Sequence, residues 1–390
     1  MSLRFGVRLI PVLLAVACVV AGCKRSAPAP APSAPPTAAP GLPQLSQAQG
    51  GTTPAPQTKY FKGSIGSSLD LQMKLLRVDP QLSGSYFYQR VGTRINLKGT
   101  IEPDGKFVVE EFDPQGKQTG IFKGVWTVNA DDGLVQLSGF WSKPNQKESD
   151  KTAAFSLHEE PISLSGDAEL VAKQIKESDK KLMYEIEAQY PQFTGGNNPN
   201  FEKFNQLVRA VVTKKVAGFK KDVAPQEGEE PRPEGSMGSD LGIGYEIALA
   251  QDDLISVEFD IGSYYQGAAH PNSYTETINY DLRNGKQLKL SDLFQPGSKY
   301  LQTLASYCIA DLKKQSKAKG EELPEDMLQS GAAATAKNYQ SWKVTRKGLG
   351  INFDSYQVGP YAAGPQYVLV PYANLKDLIN PEGPIAQFAK

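Results

Sequence analysis

Between residues 253 and 294 the side chains alternate with a period of two. Ile255, Val257, Phe259 and Ile261 interleave with Leu254, Ser256, Glu258 and Asp260. Successive side chains of a strand point to opposite faces, so this pattern predicts a strand of an antiparallel sheet with one face buried. A polar, Gly-containing segment, 263–272, breaks the alternation, which resumes over 274–280. Arg283-Asn284-Gly285-Lys286 then offers the Asn-Gly pair that suits a two-residue hairpin turn, whose central residues both need positive φ. Leu288 and Leu290 lead into Ser291-Asp292, a turn or helix cap.

The flanking sequence supplies helices to cover such a sheet. Residues 167–181 are highly charged and read as a helix, and 182–190 as a strand. Residues 200–221 read as an amphipathic helix with Phe201, Phe204, Leu207, Val208, Val211, Val212 and Val216 on one face. Residues 223–240, rich in Pro, Glu and Gly, read as a loop. A second helix is expected over 299–317 with Tyr300, Leu301, Leu304, Tyr307, Cys308 and Leu312 inward, and a short third over 324–331. Residues 343–345 and 349–353 form a hairpin turned at Lys347-Gly348. Residues 367–370 make another strand, and 373–379 a closing helix ended by Pro381. Residues 162–390 are therefore expected to be an α+β domain, an antiparallel sheet with packed helices.

Residues 59–161 have a different grammar. The segments 83–89, 93–101, 106–113, 119–128, 134–142 and 152–160 are short and strand-like, and the breaks between them hold Pro-Asp-Gly, Asn, Asp and Gly. Evenly spaced short strands predict an all-β domain, an antiparallel meander curled into a sandwich or partial barrel. Gly-aromatic groups at Tyr86, Trp126 and Phe140-Trp141 fit either a core or a sugar-stacking face, and strand aromatics usually fill a core.

The first residues read as an address. Arg4 and Arg8 precede an apolar run, 9–20, too short for a bilayer span of roughly 20 residues, and Val20-Ala21-Gly22-Cys23 follows. Residues 1–22 thus fit a lipoprotein signal peptide that leaves an acylated Cys23 as the new N-terminus. That implies a membrane-held protein of the bacterial envelope, on the periplasmic face of either membrane or on the outside. Residues 23–58, rich in Pro, Ala, Ser and Gln, can bury too little to offset their ordering entropy and are expected to be a disordered tether. Of three cysteines only Cys308 would remain in the folded part, so no internal disulfide is expected, and its helical, apolar register reads as an inert buried thiol. Taking Arg4 and Arg8 from the 42 basic residues leaves 40 against 42 acidic ones. That balance lacks the basic footprint of a nucleic-acid binder.

Motifs of chemistry are sparse. Two histidines, His158 and His270, stand far apart, and no metal-ligand spacing, phosphate-cradling loop or nucleophile elbow is present, so no cofactor, metal or catalytic residue is assigned. Three stretches are informative as motifs: GAAHPNSYTETINYDLRNGKQLKLSDLF, KGLGINFDSYQVGPYAAGPQYVLVPY and the following ANLKDLI. They resemble the C-terminal domain shared by peptidoglycan deacetylase C and the lysozyme-sensing anti-sigma factor of the sigma-V system. Where that family shows Gly-Gly-Ala-His, this chain has Gln266-Gly267-Ala268-Ala269-His270, the histidine kept and the register shifted. In the deacetylase the chemistry belongs to a separate metal-dependent domain, so the resemblance implies a non-catalytic module. Its implied ligand is a lysozyme-like protein or peptidoglycan.

Two loops inside these motifs are the expected ligand surface. One bears Ser263, Tyr264, Tyr265, Gln266, His270 and Asn272, the other Tyr356, Pro360 and Tyr361. Loops on a rigid sheet commonly carry recognition, and tyrosine gives a large contact with a hydrogen-bonding tip at small entropic cost. The same residues can instead brace the loops. The competing readings are a wall-sugar hydrolase using a carboxylate pair such as Asp253 or Glu258 with Asp260, a deacetylase accessory protein, or a purely structural assembly factor, although strand carboxylates more often form a solvated face.

Overall fold

In the computed structural model, residues 56–89, 91–130, 132–146, 152–224 and 238–389 are described, and they belong to a single compact unit. Residues 1–22, Cys23 and most of the expected tether lie outside the described residues, as does most of the 223–240 loop.

Eight strands open the structure: β1 (Gln57–Ile65), β2 (Leu69–Val78), β3 (Gln81–Tyr88), β4 (Ile95–Ile101), β5 (Lys106–Phe112), β6 (Gln118–Val128), β7 (Val135–Ser142) and β8 (Ala153–Glu160). Each pairs antiparallel with the next, and β1 also pairs with β8, Phe61 opposite Glu159, so the meander closes into a barrel without free edges. The six segments expected from sequence are all present. The first two strands were not singled out, and β1 begins at Gln57, where the tether was expected to continue. Phe61, Leu71, Leu75, Tyr86, Leu97, Phe122 and Leu157 fill the interior. Tyr86 and Trp126 are core residues, whereas Phe140 faces solvent. Glycines beside them allow the close spacing: a Cβ on Gly84 would lie 2.0 Å from the Lys74 carbonyl oxygen, and one on Gly124 2.3 Å from that of Ser138.

The rest of the chain builds a large sheet from β9 (Ile162–Ser163), β10 (Glu169–Asp179), β11 (Tyr184–Thr194), β12 (Ser239–Gln251), β13 (Leu254–Tyr264), β14 (Asn272–Asp281) and β15 (Lys286–Gln287). Its order is β10-β11-β12-β13-β14-β15, with β9 on β12. Pairing is antiparallel except β11 with β12 and β9 with β12. The parallel pair is joined by α1 (Asn200–Asp222), as a parallel connection requires. α1 lays Phe201, Phe204, Val208, Val212, Val216 and Phe219 on the sheet, beside Ile186, Ile243, Val257 and Phe259. A second core forms where α2 (Tyr300–Lys319) and α3 (Glu325–Gly331) pack with a three-stranded sheet, β16 (Trp342–Val344), β17 (Gly348–Phe353) and β18 (Gln366–Pro371). The architecture is α+β, as expected.

Four expectations are corrected. Residues 167–181 are not a helix: β10 is the edge of the sheet, and its exposed Lys173 and Lys176 are the charges that blunt an edge against further pairing. The turn at Asn284-Gly285 is not a two-residue one. Asp281 pairs with Lys286, residues 282–285 span the gap, and Gly285 has positive φ while Asn284 does not. The Asp281 carboxylate accepts the Arg283 and Asn284 N–H groups instead, each at 2.9 Å. Over residues 372–379 the chain makes a short 3₁₀ turn at Tyr372–Asn374 in place of a closing α-helix. Finally, β13 has no solvent face along most of its length: Ser256 and Glu258 are buried as well as their apolar neighbours.

The last correction explains how the two cores join. The polar face of β13 and β14 is covered by β16. Ser256 Oγ donates to Asn279 Oδ1 at 2.7 Å and accepts the Val344 N–H at 3.0 Å. Asn279 Nδ2 donates to the Trp342 carbonyl at 2.7 Å, and Glu258 is held by Lys343 at 2.8 Å and by the Asn352 amide. Buried polar groups are tolerable only when so partnered.

Candidate functional site

The two expected ligand loops lie at the ends of β13 and β17, and the structure brings part of each together. His270 and Tyr361 have ring centroids 4.4 Å apart, and Tyr356 lies 5.5 Å from Tyr361. The Tyr361 hydroxyl donates to the Pro271 carbonyl at 3.1 Å. The same carbonyl lies 2.9 Å from His270 Nδ1, which donates when that nitrogen carries the proton. Pro360 sets the start of the 3₁₀ turn Tyr361–Ala363 that presents the ring. Tyr356 has φ of 71°, a left-handed conformation unfavourable for a side chain with a Cβ. Yet Tyr356 is 58% and Tyr361 37% exposed, so the three rings form a surface platform rather than a core.

The other expected residues lie apart from that platform or beneath it. Tyr265 turns toward the end of α1, its ring 5.4 Å from Phe219 and its hydroxyl donating to Asp222 at 3.4 Å. Burial and the Asp222 charge both raise its hydroxyl pKa. The Gln266 N–H donates to Ser239 Oγ at 2.9 Å, tying the loop back to β12. Ser263 and Asn272 face each other as the last pair of β13 and β14, and Tyr264 is half-buried at the strand's end.

The strand carboxylates are drawn into structure. Glu258 is buried against Lys343, Asp253 pairs with Arg283 at 2.5 Å, and Asp260 stays exposed, its pKa raised by partial burial and then by Glu258 and Glu246. Cys308 is fully buried, and burial pushes its thiol up to about 12. Among the described residues no cluster of three or more His, Cys, Asp or Glu side chains is placed to hold a metal ion, and no helix is long and apolar enough to cross a membrane.

A cleft of about 410 Å³ that sequence reasoning missed opens where the barrel meets the α+β part. Lys62 from β1, His158 to Glu160 from β8, Tyr245 to Ala248 from β12, the β16–β17 turn and Tyr367 from β18 line it. These elements are scattered over more than 300 residues, which no local pattern reveals. Glu159 and Glu160, adjacent and therefore on opposite strand faces, are both buried. Glu159 pairs with Lys59 at 2.7 Å and accepts the Val135 N–H at 2.9 Å. Desolvation raises the Glu160 carboxyl pKa, with Lys62 and Gln72 opposing, and lowers the Lys62 ammonium pKa, with Glu160, Glu246, Asp70 and Asp260 opposing.

A closed barrel followed by an α+β body carrying an exposed ring platform is the architecture against which likenesses can be set. Residues 177–273 match the family described as Deacetylase PdaC, and residues 291–373 match a family described as a protein of unknown function (DUF3298). The curated peptidoglycan-N-acetylmuramic acid deacetylase PdaC of Bacillus subtilis (strain 168) is 24% identical over 186 residues, covering 47% of this chain. The match spans 38% of that protein's length. Among solved structures, a DUF3298 family member from Bacteroides fragilis is 19% identical with a TM-score of 0.39, covering 58% of this chain and 98% of that one. One from Pseudomonas aeruginosa PAO1 is 18% identical with a TM-score of 0.40, covering 55% and 94%. His270 falls within the first matched segment and Tyr356 and Tyr361 within the second, so both contribute to the ring platform.

Proposed function

We propose that this protein is a non-catalytic component of the bacterial cell envelope that binds peptidoglycan through the platform of His270, Tyr356 and Tyr361. The observation that carries the reading is the convergence of three exposed rings from two loops, two of which, His270 and Tyr361, meet at the Pro271 carbonyl. An aromatic face is electronegative at its centre and attracts the apolar C–H face of a sugar ring, while hydroxyl tips are left for hydrogen bonds. A glycan strand suits the platform better than a lysozyme-like protein, because a stable protein interface needs about 800 Å² from each partner and three rings offer far less. The name of the Bacillus relative places that protein's chemistry on the cell wall, in keeping with this reading. Anchoring by acylated Cys23 would hold the protein at a membrane facing the wall.

Co-sedimentation of the purified protein with isolated peptidoglycan, in parallel with capture on immobilised lysozyme, separates the two ligands. The proposal expects pelleting with the wall and none with lysozyme. Pelleting with neither, or with lysozyme alone, contradicts it. Cys23→Ser should move the protein from the membrane fraction to the soluble one; a variant that still sediments with membranes defeats the lipid-anchor reading.

A further inference from the structure

The cleft between barrel and α+β body is separate from the ring platform, and its chemistry points to a different ligand. Its walls combine apolar surface from Leu134, Ile247 and Leu369 with the cations Lys62, Arg346 and Lys347. At about 410 Å³ it falls within the usual range of ligand pockets, roughly 300–1,000 Å³.

Among the described residues neither Lys62 nor Lys347 is in an ion pair, although Glu160, Glu246, Asp70 and Asp260 lie near enough to Lys62 to favour its charge. Glu159 is matched by Lys59 at 2.7 Å, and Arg346 reaches it only at 3.9 Å. Glu160 is buried where its charged form is disfavoured. Glu246 and Asp132 also line the cleft, Glu246 from the exposed face of β12 and Asp132 from the β6–β7 turn. Lys62 is the telling group. Its ammonium donates to a neutral acceptor, the Tyr245 carbonyl, at 2.9 Å and sits 3.9 Å over the Tyr245 ring. An ammonium has three donors and gains most from an anionic acceptor in a partly desolvated site.

We propose that this cleft binds a small ligand made of an apolar body and one carboxylate, the carboxylate held by Lys62 with Arg346 and Lys347, and the body laid on Leu134, Ile247 and Leu369. The C-terminal end of a short peptide and a medium-chain fatty carboxylate share this chemistry. Blocking the amino end of a peptide is expected to be tolerated, and blocking its carboxylate is not.

Isothermal titration of the purified protein with N-acetyl-dileucine, its C-terminal amide and octanoate tests this. The carboxylate forms should bind, and the amide should bind at least tenfold more weakly. Tighter binding of the acetylated dipeptide than of octanoate identifies the peptide source, and the reverse order the fatty one. The rim pair Arg346→Ala with Lys347→Ala alters exposed side chains and should weaken the better probe at least tenfold without changing the melting temperature. Lys62→Met should do the same where it folds. Equal binding of acid and amide, unchanged binding by the rim double variant, or no heat from any probe at millimolar concentration overturns the proposal. Platform variants at Tyr356 and Tyr361 leave this binding intact, so its failure is distinct from failure of the wall-binding reading.

Discussion

Lys343 Nζ lies 2.8 Å from Glu258 Oε1, and the pair, nearly buried, ties the small three-stranded sheet to the central one. Lys343 also lies 4.9 Å over the Tyr367 ring, and Asn352 donates to the other oxygen of Glu258. An ion pair so placed makes the join directional rather than merely apolar.

Removing one partner of that pair leaves an uncompensated buried charge. Lys343→Met should therefore destabilise the protein by about 3–5 kcal/mol, while Lys343→Met with Glu258→Leu should recover most of the loss. Urea denaturation of the two variants checks this. A single variant as stable as the parent would show that the seam is held by Ser256 and Asn279 without it.

Trp126 and Phe204 sit at the hearts of the barrel and of the core under α1. Trp126→Ala and Phe204→Ala should each cost about 3–5 kcal/mol. Two separate losses of this size in chemical denaturation agree with two packed cores, and a near-neutral Trp126→Ala would put that ring on a surface.

Glu160 gives the stability a pH signature. Burial raises its folded carboxyl pKa above the unfolded value, so the folded state binds a proton where the unfolded state has lost it. Its contribution is therefore favourable at low pH and declines as pH rises from the unfolded value through the raised folded one. Glu160→Gln removes that dependence. The stability of the variant minus that of the parent should climb as pH rises above the unfolded carboxyl value of about 4.3, as measured by urea denaturation, and a flat difference contradicts the assignment.

How much of this was legible in the sequence depended on whether the determinants were local. The barrel strands, α1 and α2 announce themselves because turn residues and helical stripes act within a few positions of the elements they shape. β10 misled because an edge strand buries so little that its alternation is faint and its lysines imitate a helix surface. The carboxylates of β13 misled for the opposite reason: Ser256 and Glu258 look like a wet face until β16, more than 80 residues later, covers them. Of the expected ligand residues, His270, Tyr356 and Tyr361 meet because their loops leave adjoining parts of the fold, while Tyr265, two residues beyond Ser263, is drawn to α1. The cleft was invisible because its cations come from the first strand of the barrel and the β16–β17 hairpin, and its acids from β8, β12 and the β6–β7 turn.

The central claim concerns the ring platform, and the most direct measurement is the affinity of the Tyr356→Ala, Tyr361→Ala double variant for purified peptidoglycan, determined by quantitative co-sedimentation. The exposed rings contribute little to the core, so the melting temperature should stay within a few degrees of the parent. Alanine keeps the Cβ, so the left-handed backbone at position 356 is as strained in the variant as in the parent. Binding should weaken at least tenfold, a change of about 1.4 kcal/mol. A folded double variant that binds the wall as tightly as the parent would show that the sugar is recognised elsewhere and that His270 and the two tyrosines only brace their loops.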